Sequence, residues 1–475
     1  MGSPVNRDDI ARLATDFYSL LESFKQTPFY HLIFEIFLIL TVLWLVCFRK
    51  PRPIAKKLTE KEKQELIDEW QPEPLVPPVD TNHPALNVRV LDGIVGKTIE
   101  IDGRKSLNFA TFNFLNFVGN QRIADKAIQA VQKYGVGSCG PRGFYGTIDI
   151  HLELEERLAR FFNFEEGIIY SYGFSTIASI IPAYSKRNDI LFVDEGIHYA
   201  IQKGVEASRS TVKWFRHNDI NDLERLLAEQ DKHDKKNPKK ASTIRRFLII
   251  EGLYMNYGDI CPLPRMVELK YKYKYRIFMD ESVSFGTIGQ TGRGVTEYHN
   301  VDRQKIDLIS STLEYSVGSI GGFAVGSSFV IDHQRLSAQG YCFSASLPPL
   351  LAAAAIEALN IMDEENSLLF ETLMDKSKRL HKKLLDIKGY RVLGEDISPL
   401  KHLSLANSLN TIGRLEDIVE FAQTRDITIT IARYLNDEHH LPKPSIRLIL
   451  NVEMTDEELE FLCTVLQEAL VKVTA

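Results

Sequence analysis

At 475 residues the chain is too long for one hydrophobic core and suits two or three domains. A content of 44% hydrophobic and 25% charged residues excludes wholesale disorder, and a net charge of −6 (57 basic against 63 acidic side chains) argues against a nucleic-acid partner, which needs a positive surplus. Cys47, Cys139, Cys261, Cys342 and Cys463 are widely spaced, so neither a metal site nor a disulfide framework is expected, and the bulk of the chain reads as intracellular.

Residues 1–29 form a first segment. After Asp8 and Asp9, the residues Ile10, Leu13, Phe17, Leu20, Leu21 and Phe24 recur at helical spacing, on a face that suits a membrane surface, a partner helix or ordinary packing. Residues 30–48 follow as an expected transmembrane helix. Leu32 to Phe48 carries one charge, Glu35, and a helix needs roughly 20 mostly apolar residues to cross the hydrocarbon core. Arg49, Lys50, Arg52, Lys56 and Lys57 lie directly behind it without an acid among them. Basic flanks stay cytoplasmic, which predicts a single-pass chain with a lumenal N-terminus and a cytosolic body.

Residues 49–83 read as a linker. Thr59 to Glu62 is a capping box that opens a short polar helix ending at Trp70, and the proline-rich run Gln71–Val79 is an extended spacer. From about Ile168, apolar runs at 168–170, 190–193, 212–215, 247–250, 277–279 and 308–309 alternate with helical or polar stretches. This pattern predicts an α/β fold with a mainly parallel central sheet. The basic stretch Lys232–Arg246 reads as a solvated loop, with a surface for acidic lipid or a partner as the other option. Leu350–Leu369 is expected to be one long helix leading into a smaller C-terminal α+β domain. The division is thus a large domain over 84–349, with an N-terminal arm, and a small one over 350–475.

Glu251, Asp280 and the run Ser310–Thr312 each follow a predicted strand, and ligands of open α/β sheets bind beyond such strand ends. Gly135–Gly140 spells G-x-G-x-x-G, but a helical pattern precedes it and Pro141 follows, so a dinucleotide site is rejected. The longer GVGSCGPRGFYGT is instead a loop that lets backbone approach something closely, or a purely structural turn.

Read together, GVGSCGPRGFYGTIDIHLELE, SYGFSTIAS, DEGIHYA, EGLYMNYGDICPL, DESVSFGTIGQTGRG, STLEYSVGSIGG, YCFSASLPP and Ser445-Ile446-Arg447 resemble, in order and wording, the α-oxoamine synthases. That pyridoxal-phosphate family condenses an amino acid with an acyl-CoA. The resemblance implies the pyridoxal-dependent transferase fold of type I, with Asp280 as pyridinium partner and His198 as ring-stacking residue. It also implies a phosphate region at Thr312, Ser171, Gly173 and Phe174, and Arg447 as carboxylate clamp. Two departures break the pattern. The Schiff-base lysine of the family's T-L-S-K is Tyr315, and the histidine that holds the ring hydroxyl is Val283; a phenol forms no imine and valine offers no hydrogen bond. No lysine occurs anywhere from Ile306 to Asp375. The chain alone is therefore expected to be inactive.

Members of the family resemble one another in forming dimers whose active sites use both chains. That implies a lysine-bearing second subunit carrying the pyridoxal 5′-phosphate, with Asn113, Cys139, Arg142, Gly143, Tyr145, Ser344 and Ser346 contributed from this chain to its site. Cys139 could be read as a nucleophile, but without an identifiable base a small buried loop residue is the better description. The resemblance further implies the endoplasmic reticulum membrane, small activating subunits, Orm-type regulators and membrane lipid as partners, and no nucleic acid. Two other readings stay open: a homodimeric synthase using a lysine elsewhere in the chain, and a membrane scaffold that contributes nothing to a partner's site.

Overall fold

The computed structural model describes residues 15, 18–19, 22, 28–48, 58–76, 81, 86, 88–365, 367–406 and 409–474. The amphipathic face expected over residues 8–24 and the basic run 49–57 lie largely outside them. The chain divides into two units, residues 1–87 and 88–475, each treated by itself below.

In the first unit, helix α1 (Phe29–Phe48) has 20 residues, which at 1.5 Å per residue matches the roughly 30 Å hydrocarbon core. Its apolar side chains, Ile33, Phe37, Leu40 and Trp44 among them, are exposed on all sides. Among the described residues it is the one helix long and apolar enough to cross a membrane. Helix α2 (Glu60–Glu69) begins at the expected capping box: the Glu62 N–H donates to Thr59 Oγ1 at 3.2 Å, and the Thr59 N–H donates to Glu62 Oε2 at 2.8 Å. Two orphan donors of the first turn are thereby satisfied.

The second unit opens with an arm of three strands, β1 (Leu91–Asp92), β2 (Thr98–Ile101) and β3 (Arg104–Asn108). Helices α3 (Gln121–Tyr134) and α4 (Asp149–Phe162) follow. Then come strand β4 (Glu166–Tyr170), helix α5 (Gly173–Tyr184), β5 (Ile190–Asp194), helix α6 (Tyr199–Ser208), β6 (Thr211–Phe215), helix α7 (Ile220–Lys236), β7 (Arg246–Glu251), β8 (Arg276–Asp280), β9 (Leu308–Thr312) and β10 (Gly322–Gly326).

Strands β4 to β10 form a seven-stranded sheet in the order β4-β10-β9-β8-β7-β5-β6. All its pairings are parallel except those of β10, which runs antiparallel to both neighbours. Every residue of β5, β9 and β10 is buried, as a sheet covered by helices on both faces requires. The six apolar runs read from the sequence all became strands. β10 was missed because GFAVG is mostly small residues and sits behind a glycine pair.

Two local expectations are corrected. Lys232–Arg246 is not a loop: α7 runs to Lys236, and Pro238–Ala241 adds a further helical turn. The Asp219 side chain caps α7, and His233, Lys235 and Lys236 lie in its last turn, where positive charge suits the helix dipole. The predicted single helix over 350–369 is two, Pro349–Glu365 and Ser367–Asp386.

The C-terminal part builds an antiparallel sheet from β11 (Tyr390–Leu393), β12 (Leu400–Leu405), β14 (Thr430–Ile431) and β15 (Ile446–Ile449), in the order β11-β12-β15-β14. Between them, β13 (Ile427–Thr428) leaves that sheet and pairs in parallel with β3, so the arm is tied to the C-terminal segment.

Candidate active site

Three parallel strands end level with one another. Glu251 of β7 pairs in register with Asp280 of β8, and Asp280 with Ser310 of β9, so the polar residues read at three separate strand ends stand in one row. The Asp280 carboxylate is buried and accepts from the Ser282 N–H at 2.9 Å and from Ser310 Oγ at 3.1 Å. His198, at the start of α6, lies with Nε2 3.8 Å from Asp280 Oδ1, an ion-pair distance too long for a hydrogen bond. Its backbone N–H donates to Glu251 Oε1 at 2.6 Å. Burial pulls the His198 imidazole toward neutrality, but Glu251 and Asp280 outweigh it and raise its pKa. Burial also lifts the Glu251 carboxyl to about 7.

His198 and Ser282 line a cavity of about 230 Å³ whose far wall is the C-terminal sheet, while Asp280 and Glu251 are buried behind its lining. There Arg447 sits on β15 between β12 and β14, paired with His402 and Thr430, and so is not at a sheet edge. Its guanidinium lies 4.7 Å from the Phe112 ring centroid, and burial lowers its pKa. His402 bridges Ser445 Oγ and the Met255 carbonyl, each at 2.9 Å, and burial brings its pKa down to about 4, so it is neutral. Tyr434 and Glu438 also line the cavity, and Tyr434 Oη, Glu438 Oε2, Arg447 Nε and His198 Nε2 are buried without a hydrogen-bond partner.

The residues that break the family pattern lie in the same place. Tyr315 lines the cavity and its ring stacks on Phe112, with centroids 4.2 Å apart and planes 25° apart. Burial, with the Glu314 charge beside it, raises the phenol far above its ordinary range, so it is protonated. Val283 is buried in the core. No lysine is among the described residues that line the cavity. Among the described residues, the one lysine packed fully into the protein is Lys401, whose pKa burial lowers to about 7. It precedes cavity-lining His402 on β12, and successive strand residues point to opposite faces. Its Nζ accordingly turns away to the carbonyls of Glu395 and Asp396.

Of the expected phosphate region, Thr312 and Gly173 border the cavity and Phe174 stands at its rim, half exposed. Ser171 does not line it: its hydroxyl donates to the Ala345 carbonyl. Where a phosphate would accept from the first turn of α5, the Gly173 N–H already donates to Glu314 Oε1 at 3.3 Å. Pyridoxal 5′-phosphate therefore does not fit this pocket as the family holds it. The imine-forming amine and the ring-hydroxyl partner are missing, and a carboxylate of the chain stands in the anion position.

A second cluster lies in the glycine loop. Cys139 and Tyr145 both adopt left-handed backbone, at φ 59° and 64°. The Tyr145 side chain is fully exposed, Ser344 is half-buried and Cys139 is exposed, so Cys139 is not the buried residue expected from the sequence. Arg142 turns inward instead of out: its guanidinium is buried and grips Glu155 of α4 through two bonds of 2.8 and 2.9 Å, with Nε donating to Thr147 Oγ1. Ser346 is also buried; its N–H donates to the Gly140 carbonyl at 2.9 Å, and Ser138 Oγ donates to the Ser346 carbonyl at 2.8 Å. His151 completes the stitching. The Ile148 N–H donates to its Nδ1, which fixes Nε2 as the protonated nitrogen donating to the Leu347 carbonyl at 2.6 Å. The glycine loop and FSASLPP are thus one surface. Asn113 stands apart from that surface, buried in the arm, with Nδ2 donating to the Val95 carbonyl at 3.0 Å.

Sequence reasoning missed His151, Glu155 and Glu314. The first two follow the glycine loop within HLELE, where an inward polar face on a helix was the available signal; nothing local announced Glu314. Among the described residues, no cluster of His, Cys, Asp and Glu could hold a metal ion.

Comparison with known proteins shows the family. Residues 104–466 match the family Aminotransferase class I and II. The chain is 42% identical over 435 residues to "Long chain base biosynthesis protein 1b" of Oryza sativa subsp. japonica, covering 90% of this chain and 89% of that one. It is 40% identical over 435 residues to "Serine palmitoyltransferase 1" of Dictyostelium discoideum, covering 88% and 89%. Among solved structures, the serine palmitoyltransferase of Sphingomonas wittichii superposes with a TM-score of 0.73 at 25% identity, covering 82% of this chain and 93% of that one.

Proposed function

Since the chain belongs to the aminotransferase class I and II family and is a homologue of serine palmitoyltransferase subunit 1, we propose that it is the non-catalytic but required subunit of that acyltransferase. In this reading a lysine-bearing subunit 2 holds pyridoxal 5′-phosphate and condenses L-serine with palmitoyl-CoA to 3-ketosphinganine, the first step of sphingolipid synthesis. The observation that carries the reading is the cavity. It is lined by His198 and Arg447, with Asp280 buried 3.8 Å from His198, yet it holds Tyr315, stacked on Phe112, at the lysine position and has no lysine among the described residues that line it. An acid and a guanidinium can bind and orient an amino acid, but no group here can form the covalent link the chemistry starts from.

The contribution to the partner's site comes from the glycine loop and FSASLPP. Gly143, Tyr145, Cys139 and Ser344 form the outward face, and Arg142, His151 and Ser346 act as positioning residues that hold it. Asn113 supports the arm beneath. Helix α1 anchors the complex in the endoplasmic reticulum membrane, next to an acyl-CoA substrate and a product that partitions into lipid; small activating subunits and Orm-type regulators complete the assembly.

The test is the purified complex with Tyr145→Ala or Ser344→Ala. Turnover of serine and palmitoyl-CoA is expected to fall at least tenfold while the two subunits still co-elute. Unchanged turnover in both variants, with assembly intact, would favour a membrane scaffold without a share in the partner's site.

A further inference from the structure

The first turn of a helix leaves N–H groups without intrahelical partners and favours negative charge, which is why phosphates bind there. Helix α5 has 12 residues, carries no acid in its own first turn and has no side-chain N-cap bond. Its start is served from elsewhere in the chain. Glu314, in the turn after β9, directs Oε1 to the Gly173 N–H at 3.3 Å. The turn is fixed by two further bonds: the Glu314 N–H donates to Thr312 Oγ1 at 3.2 Å, and Thr312 Oγ1 donates to the Gly321 carbonyl at 3.1 Å. The approach is close enough to require glycine, because a β-carbon at Gly173 would collide with the Thr312 side chain and lie 3.1 Å from Glu314 Oε1.

We propose that Glu314 is a tethered anion that takes the place of a cofactor phosphate at the N-terminus of α5, closing this chain's own pocket to phosphorylated pyridoxal compounds while stabilising the helix the phosphate would otherwise cap. The inference rests on the reading of this pocket as the non-catalytic counterpart of the partner's site. It adds a cause of cofactor exclusion that is independent of the missing lysine. A chain lacking only the lysine could still bind the cofactor without a covalent bond, and Glu314 removes that option by filling the phosphate position with a charge of the same sign.

The experiment is chemical rescue by inorganic phosphate. Full-length wild type, Glu314→Ser and Glu314→Gln are melted in detergent with phosphate or with chloride at equal ionic strength. Both variants leave the helix start without its anion, so they are expected to melt lower. Phosphate, and not chloride, is expected to raise their midpoints by about 2 °C or more, with no such rise in wild type. In the complex with the lysine-bearing partner, Glu314→Ser is expected to bind a second equivalent of pyridoxal 5′-phosphate that gives no internal aldimine band. Phosphate should displace that equivalent, and wild type should stay at the partner's one. The same phosphate response in wild type and both variants, with cofactor stoichiometry unchanged, would overturn the role of Glu314. An aldimine band in the isolated wild-type chain would instead overturn the non-catalytic reading; melting reports the first failure and absorbance the second.

Discussion

The rings of Tyr315 and Phe112 stack at 4.2 Å between centroids, across an interface between the strand-end turn of the large sheet and the arm. Under the proposed function, the residue standing in place of the Schiff-base lysine is thus part of the packing. Replacing it should cost stability and leave chemistry alone. Tyr315→Ala loses the stacking and most of a large side chain, worth about 2–4 kcal/mol. Denaturant unfolding should show that loss, while turnover per assembled complex stays within twofold of wild type.

Arg142 and Glu155 form a buried pair in which each charge needs the other. Removing one partner strands the second, at about 3–5 kcal/mol, whereas removing both costs less than the sum. The Arg142→Ala/Glu155→Ala double variant is therefore expected to lose less stability than the two single variants added together, and a double-mutant cycle by thermal unfolding gives the coupling. Partner turnover should drop in Arg142→Ala and in the double variant, because the glycine loop is no longer held.

His217 supplies a pH signature. Its Nδ1 lies 2.8 Å from Asp194 Oδ1 and its Nε2 3.0 Å from Asp259 Oδ2, and its ring stacks on Tyr257. Burial opposes the charge, but the two carboxylates prevail and raise its pKa from 6.5 to about 10. The protonated form is bound more tightly in the folded state, so its stabilisation is fully present below the unfolded pKa of about 6.5 and is lost as pH rises through 10. Glu251 and Glu281, lifted from 4.5 to about 7 by burial, act in a lower window, between pH 4.5 and 7. The stability difference between wild type and His217→Gln should accordingly shrink from pH 7 to 10 in urea unfolding, and a flat difference would contradict the triad.

Helix α1 exposes apolar side chains all round, so membrane association should depend on it alone. Removal of residues 1–57 is expected to move the chain from the detergent-requiring fraction to one released by alkaline carbonate. Removal of residues 1–24 should leave both membrane association and pairing with the lysine-bearing subunit unchanged.

Much of this architecture is legible in the sequence because it depends on local pattern. The runs ending in Glu251, Asp280 and Ser310 are buried strands flanked by polar residues, and strand-end placement alone predicts that these residues converge. The capping box at Thr59 is equally local. What stayed hidden depends on tertiary contact. The stretch Lys232–Arg246 looks like a loop because its charges obscure the end of an amphipathic helix, whose Asp234 then pairs with Arg246. Arg142 looks like a residue reaching outward until Glu155, thirteen positions on, is seen to fold beneath it. The meaning of Glu314 emerges only when Gly173, far away in sequence, is brought beside it.

Absorbance separates a chain that only lends a surface from one that performs pyridoxal chemistry itself. The chain is purified alone and with its lysine-bearing partner, each incubated with pyridoxal 5′-phosphate, and the internal aldimine band is recorded before and after borohydride reduction. A pocket without an imine-forming amine should give no band and no reduced adduct in the isolated chain, and one reducible equivalent, located on the partner, in the complex. A reducible aldimine in the isolated chain would mean that a lysine outside the cavity reaches into it, and the argument from Tyr315 would fail.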